Sequence, residues 1–174
     1  MRATSITVAA LAAALLLTAC DDGGSDGGDK GTPKTGGACT LDGLGVQVAA
    51  SPAPTAGDTG NVTVTLTNRG TECTLTGLPG VDLHAGSSSA AVPADQAAEG
   101  QKLTLAKGTT ASFTLTYVRG EAGGAKSLPV KTATFTLPGS SADHSFTWSY
   151  GDVAVKGDAG APDASVTGFQ QTGD

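Results

Sequence analysis

Eight residues limit the architecture of this chain more than any other feature. Asn61-Val62-Thr63-Val64-Thr65-Leu66-Thr67-Asn68 alternates strictly, with Val62, Val64 and Leu66 on one side and three Thr on the other. A two-residue period fits a strand with one buried and one wetted face, and it fits no helix. The period returns in Ala111, Phe113, Leu115 and Tyr117, in Thr132 to Leu137, and in Phe146, Trp148 and Tyr150. Lys102-Leu103-Thr104-Leu105 is a shorter run of the same kind. Turn signals lie between these runs at Lys107-Gly108-Thr109-Thr110, Pro138-Gly139 and Gly151-Asp152.

Elsewhere the pattern is more broken. Cys39 and Leu41 share one parity, whereas Leu44, Val46 and Val48 share the other, so Asp42-Gly43 reads as a bend or bulge. Cys73 and Leu75, then Val81 and Leu83, form a short pair interrupted by Gly77-Leu78-Pro79-Gly80. The Ala- and Ser-rich stretch from Ser87 to Gly100 reads as a loop with a short helical turn. Composition points the same way. Charged residues are only 15% of the chain, while Gly numbers 26 and Thr 25, which favours strands and turns over helices. The fold class predicted is all-β: an immunoglobulin-like antiparallel β-sandwich of about seven or eight strands, with a closed barrel as the alternative.

The sandwich does not account for the first residues. Arg2 precedes Ile6 to Ala19, an uncharged run of 14 residues that is apolar apart from Thr7 and Thr18. A bilayer span needs about 20 residues, so the run suits the apolar region of an export signal better. Its end, Leu17-Thr18-Ala19-Cys20, resembles the bacterial lipobox. That resemblance implies a diacylglycerol on the Cys20 sulfur and cleavage between Ala19 and Cys20. Residues 1–19 are then a lipoprotein signal peptide, and Cys20 is a membrane anchor. The next 18 residues, Asp21 to Ala38, hold no Leu, Ile, Val or aromatic residue. They are expected to form a disordered tether, with the lipidated Cys occupying the first position of the segment 20–38. The expected folded domain is residues 39–170, with 171–174 as a tail.

With Cys20 assigned to the anchor, Cys39 and Cys73 are left as an even pair. In an exported domain they read as one disulfide around a loop of 33 residues. The competing reading is a metal site, for which His84 and His144 are the available further ligands. All seven aromatic residues lie at or after Phe113, so the bridge is expected to compensate for a thin core near the early strands.

The sequence lacks most motifs that carry chemistry. There is no S-x-x-K, H-E-x-x-H, P-loop or G-x-G-x-x-G pattern. Asp143-His144-Ser145 has the residue types of a hydrolase triad, but strand neighbours point to opposite faces, and a solvated hairpin loop is the expected setting. Trp148 is expected in the core rather than exposed as a sugar platform. A net charge of −6 with scattered Lys and Arg argues against a nucleic-acid partner. No catalytic residue, metal or cofactor is predicted.

The run from Val62 to Val81 carries a family resemblance. Leu66-Thr67-Asn68-Arg69-Gly70-Thr71-Glu72-Cys73-Thr74-Leu75-Thr76-Gly77-Leu78-Pro79-Gly80-Val81, with Ala111-Ser112-Phe113-Thr114-Leu115-Thr116-Tyr117, resembles the uncharacterised secreted lipoprotein domain of high-GC Gram-positive bacteria. The resemblance covers about Cys39 to Phe169. It implies an immunoglobulin-like sandwich and a Cys39–Cys73 bridge, and it brings no activity with it. The reading is thus a non-enzymatic lipoprotein, extracytoplasmic and held to the outer face of the membrane, that binds or scaffolds an envelope protein or cell-wall partner. The alternatives are a small-ligand or carbohydrate binder and, third, a hydrolase.

Overall fold

The computed structural model describes residues 36–157 and 160–171. The expected signal peptide, Cys20 and nearly all of the expected tether lie outside them. In chain order the strands are β1 (Gly37–Ala38), β2 (Leu44–Ser51), β3 (Thr59–Asn68), β4 (Cys73–Thr76), β5 (Gly80–Ala85), β6 (Ser88–Ala91), β7 (Lys102–Leu105) and β8 (Thr110–Val118). They continue as β9 (Ser127–Leu128), β10 (Thr132–Thr136), β11 (Asp143–Thr147), β12 (Val153–Lys156), β13 (Ala161–Pro162), β14 (Ala164–Val166) and β15 (Gln170–Gln171). A single 3-10 turn, Leu41–Gly43, makes the bend that the parity change anticipates. The described residues form an all-β domain, and its sheets pack as a sandwich without closing into a barrel.

One principal sheet runs β14–β8–β3–β2, with β15 prolonging the β14 edge. The other runs β11–β10–β5–β6. Two smaller sheets, β1–β4–β7 and β13–β12–β9, complete the set. Alternation fixes which residues face inward. Val62, Val64 and Leu66 of β3 lie opposite Leu115, Phe113 and Ala111 of β8, and all six are buried. Val81 and Leu83 of β5 pair with Phe135 and Ala133 of β10 and are buried likewise. The Phe113 and Phe135 rings join the two layers edge to face at 5.4 Å, and Phe169 packs on Phe113 from another side at 5.7 Å. Such pairs add about 0.5–1.5 kcal/mol each beyond the area they bury.

Sequence and structure part in several places. There are more strands than the seven or eight expected, because five have only two or three residues: β1, β9, β13, β14 and β15. β14 and β15 both pair with β8 and are one edge interrupted at residues 167–169, where Thr114 N–H donates to Thr167 Oγ1. Within Ser87–Gly100, residues 88–91 form β6 rather than a loop. Gly86, at φ 63, allows a tight hairpin that places Ser88 opposite Ala85. The expected tether also ends early. Gly37 and Ala38 pair in parallel with Cys73 and Thr74, and Cys39 N–H donates to Thr74 O at 2.9 Å. At the other end Gln171, expected to begin the tail, pairs with Ala111.

Tyr117 shows how the far end of the sandwich is locked. Its ring crosses Gly60, its partner in register, where an added Cβ would lie 2.6 Å from Cε1. Across that gap the hydroxyl donates to Tyr150 O at 2.9 Å and accepts from Ala53 N–H at 3.3 Å. Trp148 stacks on the ring at 4.9 Å and donates from Nε1 to Gly151 O. Tyr117→Phe leaves the buried Ala53 N–H and the half-buried Tyr150 carbonyl without their partner, so it should cost about 1–2 kcal/mol. Urea titration of the two proteins measures the difference, and equal midpoints would refute the role of the hydroxyl.

Candidate functional site

Cys39 and Cys73 form a disulfide with Cα atoms 5.0 Å apart. Their thiols are therefore not metal ligands, and the metal reading of the pair is set aside. The bridge ties the start of the domain to β4, at the end of the sandwich where Leu44, Leu66, Leu75 and Leu105 are buried. β8 shows the gradient along the core. Ala111 stands near this end, Phe113 in the middle, and Tyr117 against Trp148 at the other end. The core at the bridged end is therefore aliphatic, as the distribution of aromatic residues along the sequence implies.

Next to the bridge lies a residue to which sequence reasoning gave no role. Asn68, the last residue of β3, is 2% exposed. Its Nδ2 donates to Thr71 O and Leu105 O, both at 2.8 Å, and its Oδ1 accepts from Gly70 N–H at 2.9 Å. Its backbone N–H donates to Thr109 O, and its carbonyl accepts from Gly108 N–H. One side chain therefore shapes the turn from β3 to β4 and ties it to the end of β7. The Asn68-x-Gly70 spacing of the quoted motif is the local signal: Oδ1 caps the N–H two residues on.

The two histidines lie on opposite faces of one sheet. His84 is on the outer face, with Nε2 2.9 Å from Thr134 Oγ1. His144 is opposite Phe135 and turns inward, its ring 5.2 Å from that phenyl. This corrects the expectation of a solvated hairpin loop for Asp143-His144-Ser145. The three residues are in β11, because the ladder with β10 starts at Thr136–Asp143. Asp143 and Ser145 share the face away from His144, as strand geometry requires. No hydrogen bond among the described residues joins either histidine to a serine or a carboxylate. Trp148 is 4% exposed, which places it in the core. Tyr150 is half-buried against it, at 4.9 Å.

Besides a small groove of about 150 Å³ beside the bridge, with Ala38, Asn68 and Cys73 in its wall, two more open on the described surface. One, of about 200 Å³, runs between Asp95–Gln101 and the break between β14 and β15, with Phe169 and Gly168 in its wall. Asp95 is engaged there, accepting from Ala97 N–H at 2.8 Å. The other, of about 570 Å³, is wide and lined by Arg119, Glu121 and Lys126. Arg119 is likewise engaged, donating from Nη1 to Ala53 O and Pro54 O at 2.8 Å. The threonine stripes bond to one another and to polar neighbours across the outer faces, as in Thr63–Thr114 at 3.3 Å and Thr116–Asn61 at 2.8 Å. No helix among the described residues is long and apolar enough to cross a membrane.

These features define a disulfide-closed all-β sandwich with hydroxyl-rich outer faces and a buried Asn at its bridged end. A family model described as "Domain of unknown function (DUF4232)" matches residues 39–170, and the chain belongs to that family. The matched span starts at the first bridging cysteine and ends in β15. No curated protein and no solved structure matches the chain.

Proposed function

We propose that this chain is a lipid-anchored, extracytoplasmic module without enzymatic activity that binds or scaffolds a partner in the cell envelope. The observation that carries the proposal is Leu17-Thr18-Ala19-Cys20 at the end of an apolar run, followed directly by a Gly- and Asp-rich segment. The disulfide is compatible with an oxidising compartment and adds support. A folded domain on a tether of 16 residues, 21–36, has a root-mean-square reach of roughly 20–24 Å, enough to meet a partner near the membrane. Two acyl chains at Cys20 would hold it there, each buried CH₂ contributing about 0.8 kcal/mol.

Metabolic labelling with an alkyne fatty acid tests the anchor. The full chain in a Gram-positive host should take up label and fractionate with membranes, and Cys20→Ala should lose the label and the membrane association together. Label retained by Cys20→Ala would refute the anchor. Cross-linking of the anchored protein on intact cells, followed by identification of the adducts, tests the binding role. The alternative of a carbohydrate binder lacks its natural platform, since the Trp148 ring is buried.

A further inference from the structure

The edge of the first principal sheet stands apart from the others. β2 pairs with β3 alone, in unbroken register from Leu44–Asn68 to Ser51–Asn61. Its sequence, Leu-Gly-Val-Gln-Val-Ala-Ala-Ser, has eight residues and contains no charge and no proline. Exposed edges in folded proteins are ordinarily shortened, charged, kinked or covered, because their free backbone groups template pairing with another strand. The remaining edges here follow that rule. β11 has five residues and begins with Asp143, and β7 has four and begins with Lys102. The β14–β15 edge is interrupted and partly covered, since Val166 N–H donates to Pro93 O. In β2 only Leu44 and Gly45 are buried, with the Arg69 side chain over Gly45, and from Val46 to Ser51 the strand has none of these protections.

The ladder shows which backbone groups of β2 face outward. Arg69 N–H donates to Gly43 O, so Gly43 and Arg69 are a hydrogen-bonded pair. In an antiparallel ladder such pairs alternate, so residues 45, 47, 49 and 51 bond to β3. On the far side of β3, Asn68 N–H donates to Thr109 O of the chain leading into β8, which fixes the same alternation independently. Leu44, Val46, Val48 and Ala50 therefore present their N–H and C=O groups away from the sheet. The Leu44 N–H is taken by Leu41 O. No turn, loop or side-chain hydrogen bond among the described residues ends on the backbone of Val46, Val48 or Ala50.

We propose that β2 pairs with β2 of a second copy of this chain, antiparallel and about a two-fold axis through Gln47, joining two four-stranded sheets into one. In this register Val46 meets Val48 as a full hydrogen-bonded pair, and the free Ala50 N–H meets the C=O of Leu44, whose own N–H is already taken within its chain. Gln47 meets its own copy at a position without backbone hydrogen bonds. Val46 and Val48 are half-buried and stand on the core side, and pairing covers them. The overall charge of −6 repels copies from one another, but the edge itself is neutral and brings no like charges face to face. The nearest charge is Arg69, whose guanidinium lies over Gly45 at one end of the strand, and a foreign basic peptide would find no complementary charge here. The contact is narrow, so the dimer is weak and strengthens with salt as the net repulsion is screened. The inference does not depend on the lipid anchor.

Directly opposed residues without backbone bonds have Cα atoms about 4.5 Å apart, within disulfide range. In a full chain carrying Cys20→Ser, Gln47→Cys should form a disulfide-linked dimer under mild oxidation. Ser51→Cys should not, because in this register it lies opposite residue 43, about 26 Å along the strand from its own copy. Gln47→Lys should weaken the dimer about tenfold in sedimentation equilibrium, by setting two ammonium groups across the axis. Mixing Gln47→Lys with Gln47→Glu should restore it as a heterodimer. Gln47 is exposed, so these variants keep the fold, and their thermal melts verify that. A parent chain monomeric up to its solubility limit, a dimer indifferent to Gln47→Lys, or equal cross-linking at residues 47 and 51 would each overturn the proposal. So would retention by this edge of a foreign strand with no self-association.

Discussion

Replacing Cys39 and Cys73 together with alanine should lower the stability of the folded chain by about 3–4 kcal/mol. The bridge joins residues 34 apart in sequence. Loop-closure entropy for a ring of that size gives this figure when the unfolded chain is freed from it. The local setting argues against relief from elsewhere. β1 has only two residues and pairs with β4 beside the bridge, so without it little holds the domain's first residues in place. The core at this end is aliphatic and has no aromatic pair to take up the loss. Chemical denaturation of the oxidised chain, the reduced chain and the double variant measures the effect. Agreement of the last two at a common, lower midpoint is the expected result. A double variant as stable as the oxidised chain would mean that the bridge holds nothing the sheets do not already hold.

Asn68→Ala should cost about 3 kcal/mol, with a melting temperature about 10 °C lower. Three hydrogen bonds end on that side chain, and the group is 2% exposed, so water does not simply replace it. The variant strands the carbonyls of Thr71 and Leu105 and the N–H of Gly70. Asn68→Asp separates hydrogen bonding from space-filling. It keeps the oxygen that caps Gly70 but turns a carboxylate oxygen toward two carbonyls, where the amide had donated. It should be at least as damaging as the alanine variant, despite near-identical size. A mild Asn68→Asp effect would show that volume, not donation, is what the site requires.

How far the sequence reveals this molecule depends on the range of the interaction concerned. β3 and β8 are legible because their inward faces repeat every second residue, and that period does not depend on what lies across the core. β6 is not legible, because Ser88-Ser89-Ala90-Ala91 has weak strand preference and is held by its hairpin with β5. Asp143-His144-Ser145 illustrates a boundary effect. Strand neighbours pointing to opposite faces separates these side chains, but where the ladder with β10 begins is a matter of pairing. Asn68 is visible as a motif letter, and Gly70 two residues on hints at a turn. Its bond to Leu105, 37 residues away, has no signature in the chain. The edge character of β2 likewise follows from sheet order, which alternation does not encode. The family match agrees with the resemblance read from Leu66 to Val81 as far as an uncharacterised domain goes, and neither attaches a reaction to any residue.

The position of the Cys39–Cys73 bond has a mechanical consequence. Were the domain held from its N-terminal side, as proposed, any tug would arrive at Gly37 and Ala38 and reach Cys39 next. There it has a covalent shortcut into β4, so the tension bypasses every residue from 40 to 72. β2 and β3, including the central strand of the first sheet, lie off the load path and cannot be drawn out from that side. Pulling instead bears on β4 and the strands that follow it, which makes the bridge a clamp at the point where the chain enters the fold.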